Sequence, residues 1–531
     1  LPACGLAWNH QLNGDRKRIC ICSVGDGSTR QGEFLESLAF AIERKLAILF
    51  VVIDNEYAIS TPTEGLKASD LGLVPQEILT HCDGWRIQST LDSYSSAFAA
   101  VRNGGPHVLS VRTPRLISHT SNDDQRQYRS EQALNESVEH DPLPAFEAWL
   151  QKVGLLDGDQ IQEITERCVA DVCSAYEQAA SHQADKPTAT VRSQAPSLGA
   201  NRSSITSSVR MRDAINSSLK SILADDSSAV LFGEDIEDPL GGVFRLTSGL
   251  STEFPSQVFN SPLAEATILG VSAGLAAAGR TAIAEIQFID FLSPGYNQLV
   301  TNICTLRWRT CGVWKCPLIM YAPVDGYCPG EGMWHSQVNA SLFARQTGLR
   351  IVMPSNPVDV HVAFDEAVQS DDPTLILLPK AQFWVRHDEH KIGTLVETPC
   401  EADGARVCQS GTDVTIISWG NGIVIGSEAA ATASVSCEVV DLRYLNPIDI
   451  ETVLSSVRKT KRAVIVDPEH DGASLGNFIA VQIYEAIPDC RVGVLHRRSQ
   501  HLGCTAESED HSLVSSADVL AEVTSLVSET K

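Results

Sequence analysis

Short apolar runs alternate with helical periodicity along most of the chain. Residues 19 to 24 (ICICSV) and 47 to 53 (AILFVVI) have strand character, and between them GEFLESLAFAIERKL puts Phe34, Leu38, Ala41 and Ile42 on one helical face. That order predicts a βαβ unit. Strand-like VLSV and helix-like PAFEAWLQKVGL follow, and acidic, Ala-rich helical sequence continues to about residue 183. A second alternation starts at RMRDAINSSLKSIL, passes through AVLFGED, TILGVSAGLAAAG and AIAEIQF, and ends near residue 395 after TLILLPK. A third runs from DVTIISWG through helical GIVIGSEAAATA to CEVVDLR and AVIVDPE.

The stretch ADKPTATVRSQAPSLGANRSSITSS has few large apolar residues and predicts a linker over 184–207. The chain then divides into an α/β region over 1–183, a second over 208–397 and a third over 398–531, each built on a mostly parallel sheet. Its 531 residues match roughly three domains at ~100–200 residues each.

Composition narrows the function classes. With 43% hydrophobic and 20% charged residues the chain is expected to fold in water, and no apolar run approaches the ~20 residues of a membrane span. The 41 Lys and Arg against 66 Asp and Glu leave a formal charge of -25, which argues against general attraction to nucleic acid or anionic lipid while allowing a local basic pocket. The 15 cysteines are scattered, mostly in apolar stretches (Cys20, Cys22, Cys304, Cys316), with no Cys-x-x-Cys pair. Reduced core thiols in an intracellular protein are the expectation, not zinc ligands or a disulfide framework.

The strongest chemical signal is VGDGSTRQGEFLES followed by VVIDNEYAIS. Gly25-Asp26-Gly27 closes one predicted strand and Asn55 closes the next, with 27 residues and a helix between Gly27 and Asn55. A right-handed crossover brings both to the carboxyl edge of the sheet, where α/β folds bind ligands. Side-chain oxygens there suit a hard cation such as magnesium, which shares about six oxygens with a diphosphate, and the glycines let backbone approach the phosphate.

Read together, GDGSTRQGEFLES, NEYAISTP, RLISHTSNDDQRQYR, FGED, GGVFRLTSGL, PLAEATILG, AEIQFIDF, GEGMWHSQ and VVDLRYLNPID resemble, in family order, the thiamine diphosphate-dependent decarboxylating component of 2-oxo acid dehydrogenase complexes. Residues 1 to about 180 resemble its alpha subunit and 206–531 its beta subunit, fused in one chain. The resemblance implies a transketolase-like α/β fold: two thiamine diphosphate-binding-fold domains, the first for diphosphate and magnesium and the second for pyrimidine, plus a C-terminal α/β domain. Asp26, Asn55 and the main-chain oxygen of Tyr57 are then the expected magnesium ligands, with Gly25, Asp26 and Gly27 against the diphosphate.

By the same resemblance Glu265, in PLAEATILG, is expected to hydrogen-bond the aminopyrimidine ring, where a carboxyl group can promote proton exchange. Taken alone it is also an ordinary acid at a helix start. His119, in SHTSNDD, and His335, in HSQ, match active-site histidines suited to proton transfer near neutral pH. Gln287 and Phe291, in AEIQFIDF, fit the pyrimidine pocket; for Phe291, stacking and plain core packing are equally good readings. Arg115, Asp123, Tyr128 and Arg129 fall in the family's loop over the active-site mouth, where the arginines can hold phosphate or carboxylate or simply pair within the loop.

The implied activity is oxidative decarboxylation of a 2-oxo acid with reductive acylation of a lipoyl group. The words YAISTP and SHTSNDD resemble branched-chain enzymes somewhat more than pyruvate enzymes, so 3-methyl-2-oxobutanoate is favoured and pyruvate comes next. The implied partners are a lipoyl-bearing dihydrolipoyl acyltransferase and a second copy of the fused chain, in the cytoplasm for a bacterial-type chain or the mitochondrial matrix for a eukaryotic one. The acidic surface is compatible with a basic docking module. Competing readings are a ketol transferase of the transketolase or deoxyxylulose phosphate synthase type, and a noncatalytic scaffold fragment.

Two features depart from the family pattern. The chain starts at Leu1, without the preceding segment and its Tyr-Arg diphosphate contact, so an N-terminally incomplete or processed chain is expected. Near the other end, LHRRSQHLGCTAESEDHSL lacks the usual Asp-x-Pro-x-Pro pattern.

Overall fold

A computed structural model describes residues 1–15, 17–182, 209–388, 404–472, 474–498 and 501–528. The predicted linker 184–207 and the predicted boundary at 397 and 398 lie outside the described residues. Contacts group the chain into two units, Leu1–Thr190 and Val191–Lys531.

The first unit is built on a four-stranded parallel sheet in the order Cys20–Gly25, Ile48–Asp54, His107–Arg112, Leu79–Asp83. The helix Gly32–Arg44 makes the crossover between the first two strands. Register places Gly25 beside Ile53 and Asp54 beside Arg112, so the segments that follow three neighbouring strands emerge at one edge. The buried face of the crossover helix is Phe34, Ser37, Leu38, Phe40 and Ala41, whereas Ile42 is 41% exposed. Phe40 accounts for the difference from the periodicity: its ring meets Trp8 of the helix Pro2–Leu12 edge-on at 5.7 Å, turning the packed face toward that helix.

Among the described residues the second unit holds two large sheets and a two-stranded antiparallel pair, Val209–Arg210 with Arg386–His387. Seven strands run in the order Tyr444–Asn446, Arg350–Val352, Thr374–Pro379, Ile319–Val324, Ala282–Glu285, Val230–Gly233, Val258–Asn260. All neighbours are parallel except Tyr444–Asn446 against Arg350–Val352. Every residue of Ile319–Val324 and Thr374–Pro379 is buried, as expected of parallel strands covered on both faces. Five strands form the other sheet: Arg406–Gln409 (antiparallel), Cys437–Asp441, Val414–Ser418, Arg462–His470 and Arg491–Arg497.

The helix Glu265–Ala277 explains its own sequence. It is buried from Ala266 to Ala276, and a helix enclosed all round needs small apolar residues rather than an amphipathic stripe. Asp359 anchors an ionic cluster inside the same unit: Arg406 Nη2 donates to it at 2.7 Å and Arg443 Nε at 3.1 Å, with all three side chains 1% exposed. Among the described residues the cysteines are free thiols, and no helix is long and apolar enough to cross a membrane.

Candidate active site

In the first unit, Asp26 sits just past the strand Cys20–Gly25 and is 2% exposed. Its Oδ2 accepts a hydrogen bond from the Thr63 hydroxyl at 2.6 Å, and its main-chain oxygen accepts one from the Thr29 hydroxyl at 2.6 Å. Oδ1 has no hydrogen-bond partner among the described residues. Asn55 Oδ1 accepts from Tyr57 N at 3.1 Å, which orders the turn that carries both predicted ligands. The hairpin Tyr57–Pro62 then folds over the glycine loop so closely that a Cβ on Gly27 would lie 2.6 Å from Ala58 Cβ. The structure thus brings Asp26, Gly27, Asn55 and Tyr57 to the same sheet edge.

This donor set suits a hard cation only in part. No group of three or more His, Cys, Asp or Glu among the described residues could hold a metal. One carboxylate, one amide oxygen and one carbonyl fit a magnesium ion that takes its remaining oxygens from a bound diphosphate and water. Lys67 adds positive charge nearby. Its ammonium lies 2.7 Å from Asp54 Oδ2; burial works to lower its pKa, but Asp54, Asp70 and Asp26 outweigh that and raise it.

The loop beyond the strand His107–Arg112 carries His119, which is exposed, with its main-chain N–H donating to Asp123 Oδ2 at 2.8 Å. Here the arginines are occupied structurally. Arg115 donates to Ile59 O at 2.7 Å and to the Tyr128 hydroxyl at 2.5 Å, while Tyr128 donates to Asp123 at 2.7 Å. Arg129, 6% exposed, donates to Arg115 O, Gln125, Ala133 O and Ser137. Most of their donors therefore order the loop rather than await an anion.

In the second unit Glu265 opens its buried helix, and the Cα of Gly295 approaches so near that an added Cβ would lie 3.0 Å from Glu265 O. Gly295 ends the 3₁₀ turn Ile289–Gly295, which also carries Phe291. Gln287 Nε2 donates to Asp235 Oδ2 at 3.1 Å. The Phe291 ring packs edge-on against Phe288 at 5.4 Å and against His335 at 5.4 Å, and Phe288 meets His335 at 4.6 Å. Predicted residues Glu265, Gln287, Phe291 and His335 are thus carried by adjoining segments of one unit.

His335 has a defined tautomer. Its Nδ1 lies 3.0 Å from the Glu331 carbonyl, which can only accept, so Nδ1 carries the hydrogen and Nε2 keeps its lone pair when the ring is neutral. Beside this segment opens a cleft of ≈ 200 Å³ lined by Gln337, Asn339, Ser341, Arg345, Glu469 and Arg497 among others. Glu265, Gln287 and Phe291 do not line it, so this cleft is not the centre of the predicted chemistry.

Two acids were not singled out by sequence reasoning. Glu234 follows the strand Val230–Gly233, Glu285 ends the adjacent strand Ala282–Glu285, and a Cβ on Gly233 would lie 2.8 Å from Glu285 Cβ. Burial pushes the Glu234 carboxyl up to about 7, with Glu265 and Asp235 adding to it. Burial also pushes Glu285 up to about 7, against a hydrogen bond donated by the Tyr321 hydroxyl. Glu234 Oε1 is buried without a hydrogen-bond partner. An orphaned carboxyl oxygen electrostatically coupled to Glu265 fits a site that receives a polar ring. The signal was present in FGED and AEIQF, but an acid at a strand end reads equally as solvated until its neighbours are known.

Known families match three consecutive stretches: Dehydrogenase E1 component over residues 1–188, the pyrimidine binding domain of transketolase over 207–383, and the transketolase C-terminal domain over 403–517. The pyruvate dehydrogenase E1 component subunit beta of Leifsonia xyli subsp. xyli is 38% identical over 282 residues, covering 52% of this chain and 82% of that one. The chain belongs to the thiamine-dependent 2-oxo acid dehydrogenase E1 family. The mitochondrial 2-oxoisovalerate dehydrogenase subunit beta of Dictyostelium discoideum is 36% identical, covering 54% of this chain and 76% of its own. A 3-methyl-2-oxobutanoate dehydrogenase subunit beta of Mycobacterium tuberculosis (strain CDC 1551 / Oshkosh) is 35% identical, with shares of 53% and 81%. Among solved structures, one titled "Split gene transketolase, inactive beta4 tetramer" superposes with a TM-score of 0.50 at 20% identity, covering 61% of this chain and 100% of that one. The fold of this E1 family member is accordingly transketolase-like, with an alpha-like region and beta-like domains in one chain.

Proposed function

We propose that the chain catalyses thiamine diphosphate-dependent oxidative decarboxylation of a 2-oxo acid and passes the acyl group to the lipoyl arm of a partner acyltransferase. The observation that carries this reading is Glu265 at the start of a buried helix, coupled to the buried acid Glu234 and carried beside the Phe291 and His335 segments. Bound thiamine diphosphate supplies the carbon nucleophile and the electron sink. Asp26, Asn55 and the Tyr57 carbonyl would hold magnesium, and Gly25 to Gly27 would admit the diphosphate to the backbone. The Glu265 carboxyl would exchange a proton with the aminopyrimidine ring nitrogen, Gln287 and Phe291 would orient that ring, and His335 Nε2 would carry a proton for acyl transfer. His119, exposed on its loop, would act on the substrate side.

A branched-chain acid such as 3-methyl-2-oxobutanoate is the favoured substrate and pyruvate the next, a range supported by relatives named for both. The working form would be a dimer of fused chains. The domain limits proposed are 1–183, 208–397 and 398–531, with the linker between the first two. Ferricyanide-linked decarboxylation of 3-methyl-2-oxobutanoate, pyruvate and 2-oxoglutarate, side by side with added magnesium and thiamine diphosphate, tests the reading. Turnover with an aldose phosphate and none with a lipoyl domain would replace it with ketol transfer.

A further inference from the structure

Lys380 is a buried, ion-paired residue that the proposed chemistry leaves unused. It follows the strand Thr374–Pro379, and its side chain is 1% exposed. Burying an ammonium is costly unless it is paired, and the ion pair and the hydrogen bond of Nζ both go to one segment. Nζ pairs with the Glu331 carboxylate and donates to the His335 carbonyl. It also sits 5.5 Å from the centre of the Phe288 ring, the same ring that walls the His335 imidazole.

That segment needs an external restraint. Gly330 has φ of 113° and Gly332 of 66°, and a Cβ on Gly332 would lie 2.7 Å from Cys504 Sγ, so both steric space and backbone angle call for glycine. Such a turn has little intrinsic stiffness. Its far end is tied as well: Gln337 N donates to Asp290 Oδ1 at 3.2 Å, and Arg497 Nη2 donates to Gln337 Oε1 at 2.9 Å. Arg497 comes from LHRRSQHLGC, the stretch in which the sequence leaves the family pattern.

We propose that Lys380 is a positioning residue that fixes the Glu331–His335 turn, and with it the direction of His335 Nε2. It contacts the carbonyl of His335 and not the ring, so it acts through backbone placement. The proposal rests on the reading of His335 as a proton-transfer group. Small displacements of a reacting group cost up to about a hundredfold in rate.

The test compares Lys380→Met, His335→Ala and the double variant in the magnesium and thiamine diphosphate-loaded protein, with lipoyl domain as acceptor. Lys380→Met is expected to lower lipoyl-dependent kcat by at least about tenfold, to leave KM and calorimetric cofactor affinity near the wild-type values, and to add nothing in the His335→Ala background. Equal losses with and without His335 would overturn the proposal alone, as would normal kcat in Lys380→Met. Normal turnover in His335→Ala would overturn the reading of His335 and the proposal with it. If Lys380→Met does not fold, Glu331→Gln weakens the same clamp from the other side and is judged by the same non-additivity.

Discussion

Thr63 donates its hydroxyl to the Asp26 carboxylate across 2.6 Å, tying the hairpin that follows the second strand to the loop that follows the first. This bond occupies Oδ2 of Asp26, so under the proposed function Oδ1 is the oxygen that would bind magnesium. Partners that orient a metal-binding carboxylate typically set its affinity by ~10–100-fold. Thr63→Val, close in shape, is expected to weaken magnesium binding in the presence of thiamine diphosphate by about that factor. Titration calorimetry measures it; an unchanged affinity would show that the Thr63 bond does not position Asp26 for the metal.

Glu265→Gln keeps size and hydrogen-bonding capacity but cannot release a proton. General acid–base catalysis contributes ~10²–10⁴-fold, so ferricyanide-linked turnover is expected to fall within that range while cofactor binding persists. A variant with normal turnover would refute the assigned role.

Glu285 and Glu234 each have a carboxyl pushed from an ordinary 4.5 up to about 7, chiefly by burial. Such groups bind protons more tightly folded than unfolded, so their contribution to stability is fully present below pH 4.5 and is lost as pH rises through about 7. Glu285→Gln stays neutral and can still accept from Tyr321. Its urea-unfolding free energy is expected to match wild type in acid and to exceed it by ~1–3 kcal/mol at pH 8.5. Parallel pH profiles for the two proteins would contradict the raised value.

Asp359 is held as a carboxylate by Arg443 and Arg406, which outweigh burial and lower its pKa. Asp359→Asn would remove the carboxylate that both buried guanidinium groups bind, a loss of about 3–5 kcal/mol. Urea denaturation of the second unit's sheets, followed by circular dichroism, reads this out; a loss below about 1 kcal/mol would mean that water already screens the cluster.

The elements were legible because strand runs and helical faces have different periods. The crossover around Asp26 and Asn55 followed from two apolar runs and one amphipathic helix, and the structure places those residues at one sheet edge. Ile42 escaped because periodicity shows that a helix has a buried face but not which neighbour it turns toward; Trp8 decides that. Phe291 and His335 were named from the words around them, and their contact is a tertiary fact. Lys380 was invisible for a deeper reason. A lysine after a strand reads as solvated, and only the fold of residues 328–337 around it makes the ammonium an internal tie.

The antiparallel strand Tyr444–Asn446 belongs by sequence to the last region and by hydrogen bonding to the sheet of the middle one. Cutting the chain after residue 397 would therefore uncover Arg350–Val352 as a bare edge, open to pairing with any other strand, and would split the Asp359 cluster from its arginines. The two regions are interlocked through this strand and that cluster, so a mutation that loosens either is expected to be felt at the other's sheet.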